Sequence, residues 1–331
     1  MSNPNFDTLV TTTLKNYRPN LADNVTNHQV VWLQLKERGF IREDEGGTSI
    51  VEPLLIERNN TVKSYSGYDI IDTTPQQGLT AAEFLWKQIA GSVTISGEEE
   101  FKNQGSKTKI ISLLQSKITQ LELSMMLEIN RQLQADGTGN GGKDITGLAL
   151  AVEDGTTFST YGGINSATFP YWRNQWIGNV SITEASPPHN AFLGALRTLY
   201  NSCSRGKVKP TVIISDQFLF EAYEASLVPN ERFMDMRLGD AGFLNLMFKA
   251  TPWVFDDDMP GASMVAGSDN HELVMLNADF LKFVIGKGKN FVVTDFVRPD
   301  NQDAKVSQTI LYGNLTTCNR QRQGRMNVDT A

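Results

Sequence analysis

Between residues 107 and 134, apolar side chains recur at Ile110, Leu114, Ile118, Leu121, Met125, Ile129 and Leu133, at spacings of 4, 4, 3, 4, 4 and 4. A single stripe at that period predicts a helix over 107–134, about 42 Å long at about 1.5 Å per residue. Ile111 and Met126 widen the stripe, while Lys117, Gln120 and Arg131 fall off it. The spacing is not the clean heptad of a coiled coil, so such a helix packs along a sheet or a bundle. The glycine-rich run ADGTGNGG stops it.

Before this helix the pattern is different. The first thirty or so residues lack periodicity and carry Pro4 and Pro19. A short amphipathic helix follows over about 28–38, with Val31, Trp32 and Leu35 apolar and Gly39 placed to end it. This arm reads either as a frayed terminus or as a strap laid on a neighbouring subunit. From residue 48 to about 98 the reading is β. SIVEPLLIE and VKSYSGYDII are strand-like, with a turn at Arg58-Asn59-Asn60 between them, and Pro53 confines the first to an edge. A short amphipathic stretch (Ala82, Leu85, Trp86, Ile89) and another strand follow. Asn59, Asn60, Lys63, Ser64, Tyr65, Ser66, Tyr68 and Asp69 make this hairpin too polar to bury much by itself. Isolated hairpins are marginal in water, and a partner subunit is the simplest support.

After Gly147 short strands and helices alternate. ITGLALAV reads as a short strand and NAFLGALRTLYNSC as a helix. KPTVIISDQFLFEAYEASL reads as a strand, a cap at Ser215 or Asp216, and a helix. Strand patterns follow in PWVFDD, LVMLN, FLKFVIGKG, FVVTDFV and AKVSQTILYGNLTTCNR, and the tail from Asn319 reads as short, basic and loose. The class is α+β or mixed α/β.

Composition narrows the function. The chain has 331 residues, 40% hydrophobic, enough for a buried core and against disorder. It has no apolar run long enough to span a membrane, and its first twenty residues lack the apolar segment of a secretory signal. Two distant cysteines, Cys203 and Cys318, suggest reduced thiols in a cytosolic setting. A net charge of −7 argues against a protein built on dense phosphate contacts. His28, His189 and His271 leave little material for a histidine-based centre.

The candidate chemistry is thin. DGTGNGGKD fits G-x-G-x-x-G and G-x-x-x-x-G-K through Gly137, Gly139, Gly142 and Lys143. A phosphate loop needs a strand before the glycines and a helix after them; here a long helix precedes, and Asp144 stands where a hydroxyl would hold Mg²⁺. Asp256, Asp257 and Asp258 lack the alternate spacing of a calcium loop and read as solvated. His271-Glu272 lacks a second histidine, and no nucleophile elbow occurs. The sequons at Asn24, Asn59, Asn179 and Asn314 carry no meaning without secretion. The clusters Arg205/Lys207/Lys209 and Arg320/Arg322/Arg325 lack interleaved aromatics and read as solvated loop and tail rather than nucleic-acid contacts. No catalytic, cofactor or metal residue is assigned.

The order of parts is more telling. An arm, a polar hairpin excursion, one long helix, a glycine-rich exit and a mixed lobe returning by a long strand resemble the major capsid proteins of tailed double-stranded DNA phages, with the Hong-Kong-97-type fold. DGTGNGGKDITGL, YGGINSATFPYWRNQW and KATPWVFDDDMP followed by LVMLNADFLKFVI are similar to passages of that family. The resemblance implies an α+β fold with an N-terminal arm (1–47), an E-loop hairpin (48–96), a peripheral domain (97–153) with its spine helix at 107–134, an axial domain (154–286), and return strands with a C-terminal tail (287–331). It implies self-assembly into pentamers and hexamers of an icosahedral shell, a separate scaffolding protein, a portal and decoration proteins. Packaged double-stranded DNA would be met by non-specific proximity, with no membrane partner and no cofactor. The chain would reside in the virion after assembly in the host cytoplasm. Trp32, Arg58, Lys63, Tyr65, Tyr68 and Trp86 are the candidate subunit-interface residues. The competing readings are an encapsulin-like compartment and, from another class, a soluble enzyme or a carbohydrate-binding module built on Tyr171, Trp172 and Trp176.

Overall fold

The computed structural model describes residues 39–99, 113–182, 189–227, 246–256, 258–259, 270–295 and 297–330. Two mixed sheets organise them. The first contains β1 (Ile41–Asp44), β4 (Lys87–Ser96), β12 (Leu281–Gly286), β13 (Val292–Val293) and β14 (Ala304–Thr317). β14 is its axis: one edge pairs with β12 and then β13, the other with all ten residues of β4. The second sheet runs β7 (Gln175–Ile182), β15 (Gly324–Thr330), β11 (Asn270–Leu276), β8 (Val212–Ser215), β10 (Thr251–Phe255), β9 (Leu246–Phe248). Its strands are apolar at successive positions because both faces are covered. Ile213, Trp253, Leu273 and Met326 face the helices α2 (Asn190–Cys203) and α3 (Gln217–Ser226), while Val212, Ile214, Val254 and Val274 join the core shared with the first sheet. Asp216, not Ser215, caps α3, its carboxylate accepting from the Leu219 amide at 3.2 Å.

The long helix α1 is described over Leu113–Gln134 and lies across β4. The part expected over 107–112 falls outside the described residues. Met125, Ile129 and Leu133 of the expected stripe are buried, with Ile118 and Leu121 half-buried. Close approach depends on Gly91, where a Cβ would land on the Leu121 side chain and 3.2 Å from Met125 Sδ. After the helix, Gly137, Asn140, Gly141 and Gly142 all take positive φ, which glycine adopts without strain. The strand expected in ITGLALAV is instead a single helical turn, Leu148–Ala151. Gly147 causes it: the chain folds back so tightly that a Cβ there would sit within 2.6 Å of the Leu133 carbonyl oxygen.

Three further expectations are corrected. The tail from Asn319 is not loose: a 3₁₀ turn (Arg320–Arg322) leads into β15, between β7 and β11 in the second sheet. Met326 and Val328 point alternately into the core, and Arg320, Arg322 and Arg325 are buried. Arg320 donates to the carbonyls of Ala151 and Leu150 at 2.9 Å each and lies 3.3 Å from Glu153 Oε1. Arg325 donates to the Val152 carbonyl at 3.1 Å and pairs with Glu272 at 2.5 Å. These cations staple the segment after α1 to the second sheet. The acidic run is not simply solvated either, since Asp256 is wholly buried. Finally, β12 belongs to the first sheet, so the chain changes sheets at residues 277–280, ahead of the expected boundary at 286.

Candidate assembly surface

The hairpin differs from its sequence reading in three ways. β2 (Ser49–Leu55) pairs antiparallel with β3 (Leu79–Leu85), in register from Ser49↔Leu85 to Leu55↔Leu79. VKSYSGYDII forms no strand; residues 56–78 are a long loop. Local side-chain bonds hold that loop away from a ladder: Asn59 Oδ1 accepts from the Thr61 amide at 2.9 Å, Asp69 Oδ2 from the Ser66 amide at 2.8 Å, and Asp72 Oδ1 from the Thr74 amide at 3.0 Å. The Thr74 hydroxyl and amide hold the Asp72 carboxyl below its ordinary value. The amphipathic stretch Ala82–Ile89 belongs to two consecutive strands, in which inward and outward positions alternate at period 2.

The two-stranded ribbon has two different faces. Ile50, Leu54, Ala82 and Phe84 turn inward to the subunit's own core, with the Phe84 ring edge-on to Tyr161 at 4.9 Å. Glu52 anchors the same face, 2.7 Å from the Arg42 guanidinium and accepting from the Thr316 hydroxyl at 3.1 Å. Asn314 closes the base, donating to the Leu85 carbonyl at 2.8 Å and accepting from the Thr146 amide at 3.0 Å. The opposite face presents Val51, Leu55, Leu79 and Leu85 to solvent, and the loop adds Val62, Tyr65, Tyr68, Ile70 and Ile71. Between the loop's two sides lies a groove of ≈ 650 Å³ lined by Leu55, Arg58, Gln76 and Leu79 among others. Exposed large apolar side chains are thus concentrated on one face of the ribbon and on its loop, interleaved with polar residues such as Glu83 and Lys63.

Of the six candidate interface residues, four lie on this loop. Arg58, Lys63, Tyr65 and Tyr68 are exposed, with Lys63 held 3.6 Å from Asp72 of the same loop. Trp86 sits at the ribbon's base, half-buried against the subunit's own core. Trp32 lies outside the described residues, as does the expected helix over 28–38. Val51, Leu55, Leu79 and Leu85 of the outer face, with Ile70 and Ile71 of the loop, are exposed apolar residues that the sequence reading did not single out. Their signal was present: SIVEPLL and LTAAEFL are apolar at both parities, which a ribbon covered on one side does not need.

The other motifs resolve into structure. The glycine-rich exit closes over its own Asp144 carboxylate, which is buried and 3.5 Å from Arg131. Trp172 is a core residue whose indole N–H donates to the Tyr161 carbonyl at 2.9 Å. Trp176 packs against Gly155 and Gly178. These aromatics form no open platform for a sugar. His271 bonds the Asp216 carboxylate and stacks on Phe218 at 4.2 Å, bracing the start of α3.

No protein-family model matches the sequence, and no curated protein matches it. Solved structures do. The chain is similar to one in the cyanophage A-1(L) capsid asymmetric unit at TM-score 0.70 and 18% identity, over 94% of this chain and 96% of that one. It is similar to the capsid of a native GTA particle at TM-score 0.59 and 10% identity, over 95% of each chain. The holo-SrpI encapsulin complex of Synechococcus elongatus matches at TM-score 0.58 and 10% identity, over 99% of this chain and 96% of that one. The fold is therefore the Hong-Kong-97-type capsid fold, a mixed α+β architecture.

Proposed function

We propose that this chain is the major capsid protein of a tailed double-stranded DNA phage, self-assembling into hexamers and pentamers of an icosahedral shell. The observation that carries this reading is the hairpin, an excursion from a capsid fold whose inner face completes its own subunit while its outer face and tip are apolar and open. A second copy of the chain supplies that missing cover. In a shell the first sheet with α1 serves as the peripheral domain, and the second sheet with α2 and α3 as the axial domain around capsomer axes. Tyr65 and Tyr68 provide contact area, Arg58 and Lys63 meet acidic groups opposite, Trp86 supports the ribbon's base, and Trp32 anchors an N-terminal strap. Tyrosine and arginine are the residue types that dominate interface energetics. The role is structural rather than enzymatic.

A scaffolding protein, a portal and decoration proteins complete the assembly, which forms in the host cytoplasm and ends as the virion wall. The net charge of −7 suits a wall that encloses DNA without binding it tightly. An encapsulin-like compartment is the second reading, favoured by the likeness at TM-score 0.58 but weaker than the phage likeness at 0.70. Deleting residues 59–68 with a short glycine bridge tests the proposal. Negative-stain microscopy should show shells or capsomers for the intact chain and none for the deletion, with circular dichroism of the free chain unchanged. An intact chain that stays monomeric in every buffer, or closed shells from the deletion, would refute it. Purified shells carrying protein cargo instead of DNA would favour the compartment.

A further inference from the structure

We propose that Asp256, with Asp258 beside it, forms a proton-operated latch between the spine helix and the second sheet, closed when Asp256 holds a proton and loosened when it is ionised. The site joins parts of the chain more than a hundred residues apart. Asp256 follows β10, and its backbone amide donates to the Ser215 carbonyl at 2.9 Å, so it is fixed to the sheet. Its side chain reaches the last turns of α1, accepting from Asn130 Nδ2 at 3.3 Å on both oxygens and from Gln134 Nε2 at 3.2 Å. The same Asn130 nitrogen donates to Asp258 Oδ2 at 2.6 Å. Two carboxylates thus converge on one amide.

No described cation compensates the Asp256 charge, which has only N–H donors: the Asn130 and Gln134 amides and the Asp258 backbone amide, at 2.9 Å from Oδ1. Among the described residues neither Asp256 nor Asp258 has an ion pair. The charged groups on the packed elements are engaged elsewhere: Arg131 of α1 with Glu128 and Asp144, and Asp216, next along from β8, with His271 and the Leu219 amide. Asn130 is fully buried, and its Oδ1 has no partner among the described residues. The amide therefore gives up its own acceptor to aim its donor at the acids. A buried charge without a counter-ion is costly, and the usual escape is a proton. Burial, reinforced by the Asp258 charge, pushes the Asp256 carboxyl up to about 6 even though the amide donors pull the other way. Once protonated, Asp256 becomes a hydrogen-bond donor as well as an acceptor. Between the ordinary carboxyl value of 3.8 and about 6, the folded chain holds a proton that the unfolded chain has released. The latch is thus strongest at the acid end of that window, and its contribution is lost as pH rises through about 6.

Hydrogen exchange of residues 126–135 in the full chain, read between pH 5 and 8 against Asp256→Asn at each pH, tests this. In the wild type, protection of this turn should fall by up to about tenfold between pH 5 and 8; in Asp256→Asn, whose amide cannot ionise, the profile should be flat. Asp258→Asn should move the wild-type midpoint to lower pH by removing the like charge. Parallel profiles in wild type and Asp256→Asn would overturn the latch. So would full restoration of protection at pH 8 by millimolar Mg²⁺ alone, because a cation rather than a proton would then be the natural compensator.

Discussion

Replacing Leu55 and Leu79 together by serine separates the two faces of the hairpin. Both leucines are 79% exposed in the isolated subunit and lie directly opposite each other on the outer face. Exposed positions of this kind change subunit stability by no more than about 0.5 kcal/mol. If a neighbouring subunit covers them, each contributes roughly four-fifths of the ~1.5–3 kcal/mol gained on fully burying a leucine. The pair is then worth about 2–5 kcal/mol per subunit contact, or at least ~30-fold in association. Phe84→Ala is the control on the inner face, where the ring is 3% exposed and set against Tyr161. It should cost the subunit itself about 3–5 kcal/mol. Urea unfolding of dissociated subunits reads the first quantity, and the critical concentration for assembly, by light scattering, reads the second. The leucine variant should unfold like wild type yet assemble only at far higher concentration. Assembly at the wild-type concentration would refute the docking role of the outer face. A subunit destabilised by more than about 1 kcal/mol would mean that the face is already covered by its own chain.

Two further substitutions probe the frame behind that surface. Gly147→Ala should prevent the helical turn from seating against α1, since the obstacle is backbone carbonyl oxygen that cannot move aside; thermal melting should show a large loss, while Gly141→Ala, with open space around it but a positive φ, should lose far less. Arg320→Met removes one partner of a buried pair and leaves the Glu153 carboxylate with its bonds from the Ser159 amide and the Ser159 and Ser166 hydroxyls, so chemical denaturation should show a loss of about 3–5 kcal/mol.

How much of this was legible in the chain depends on the range of the forces involved. The helix α1, α2, a cap at Ser215 or Asp216 and α3 were readable because helical periodicity and capping are local: a few neighbouring residues decide them. The glycine-rich exit was likewise readable as a stop and not a phosphate cradle, from the order of elements around it. The loop between β2 and β3 was misread because Val, Tyr and Ile favour strands in general, whereas here Asn59, Asp69 and Asp72 capture the backbone first. The hairpin's polarity was apparent in the sequence, but its two-faced character was not, since only the fold shows which of two apolar parities is covered. The C-terminal arginines show the same limit most clearly. Charge alone places them in solvent; tertiary structure buries them because carbonyls from residues 150–152 and 203 and two carboxylates, distant along the chain, converge on them. Sequence by itself determined the local elements and their order. Which charges are buried, which strand joins which sheet, and which apolar face is left open were decided by long-range pairing, because burial and hydrogen-bond satisfaction depend on partners that no local pattern names.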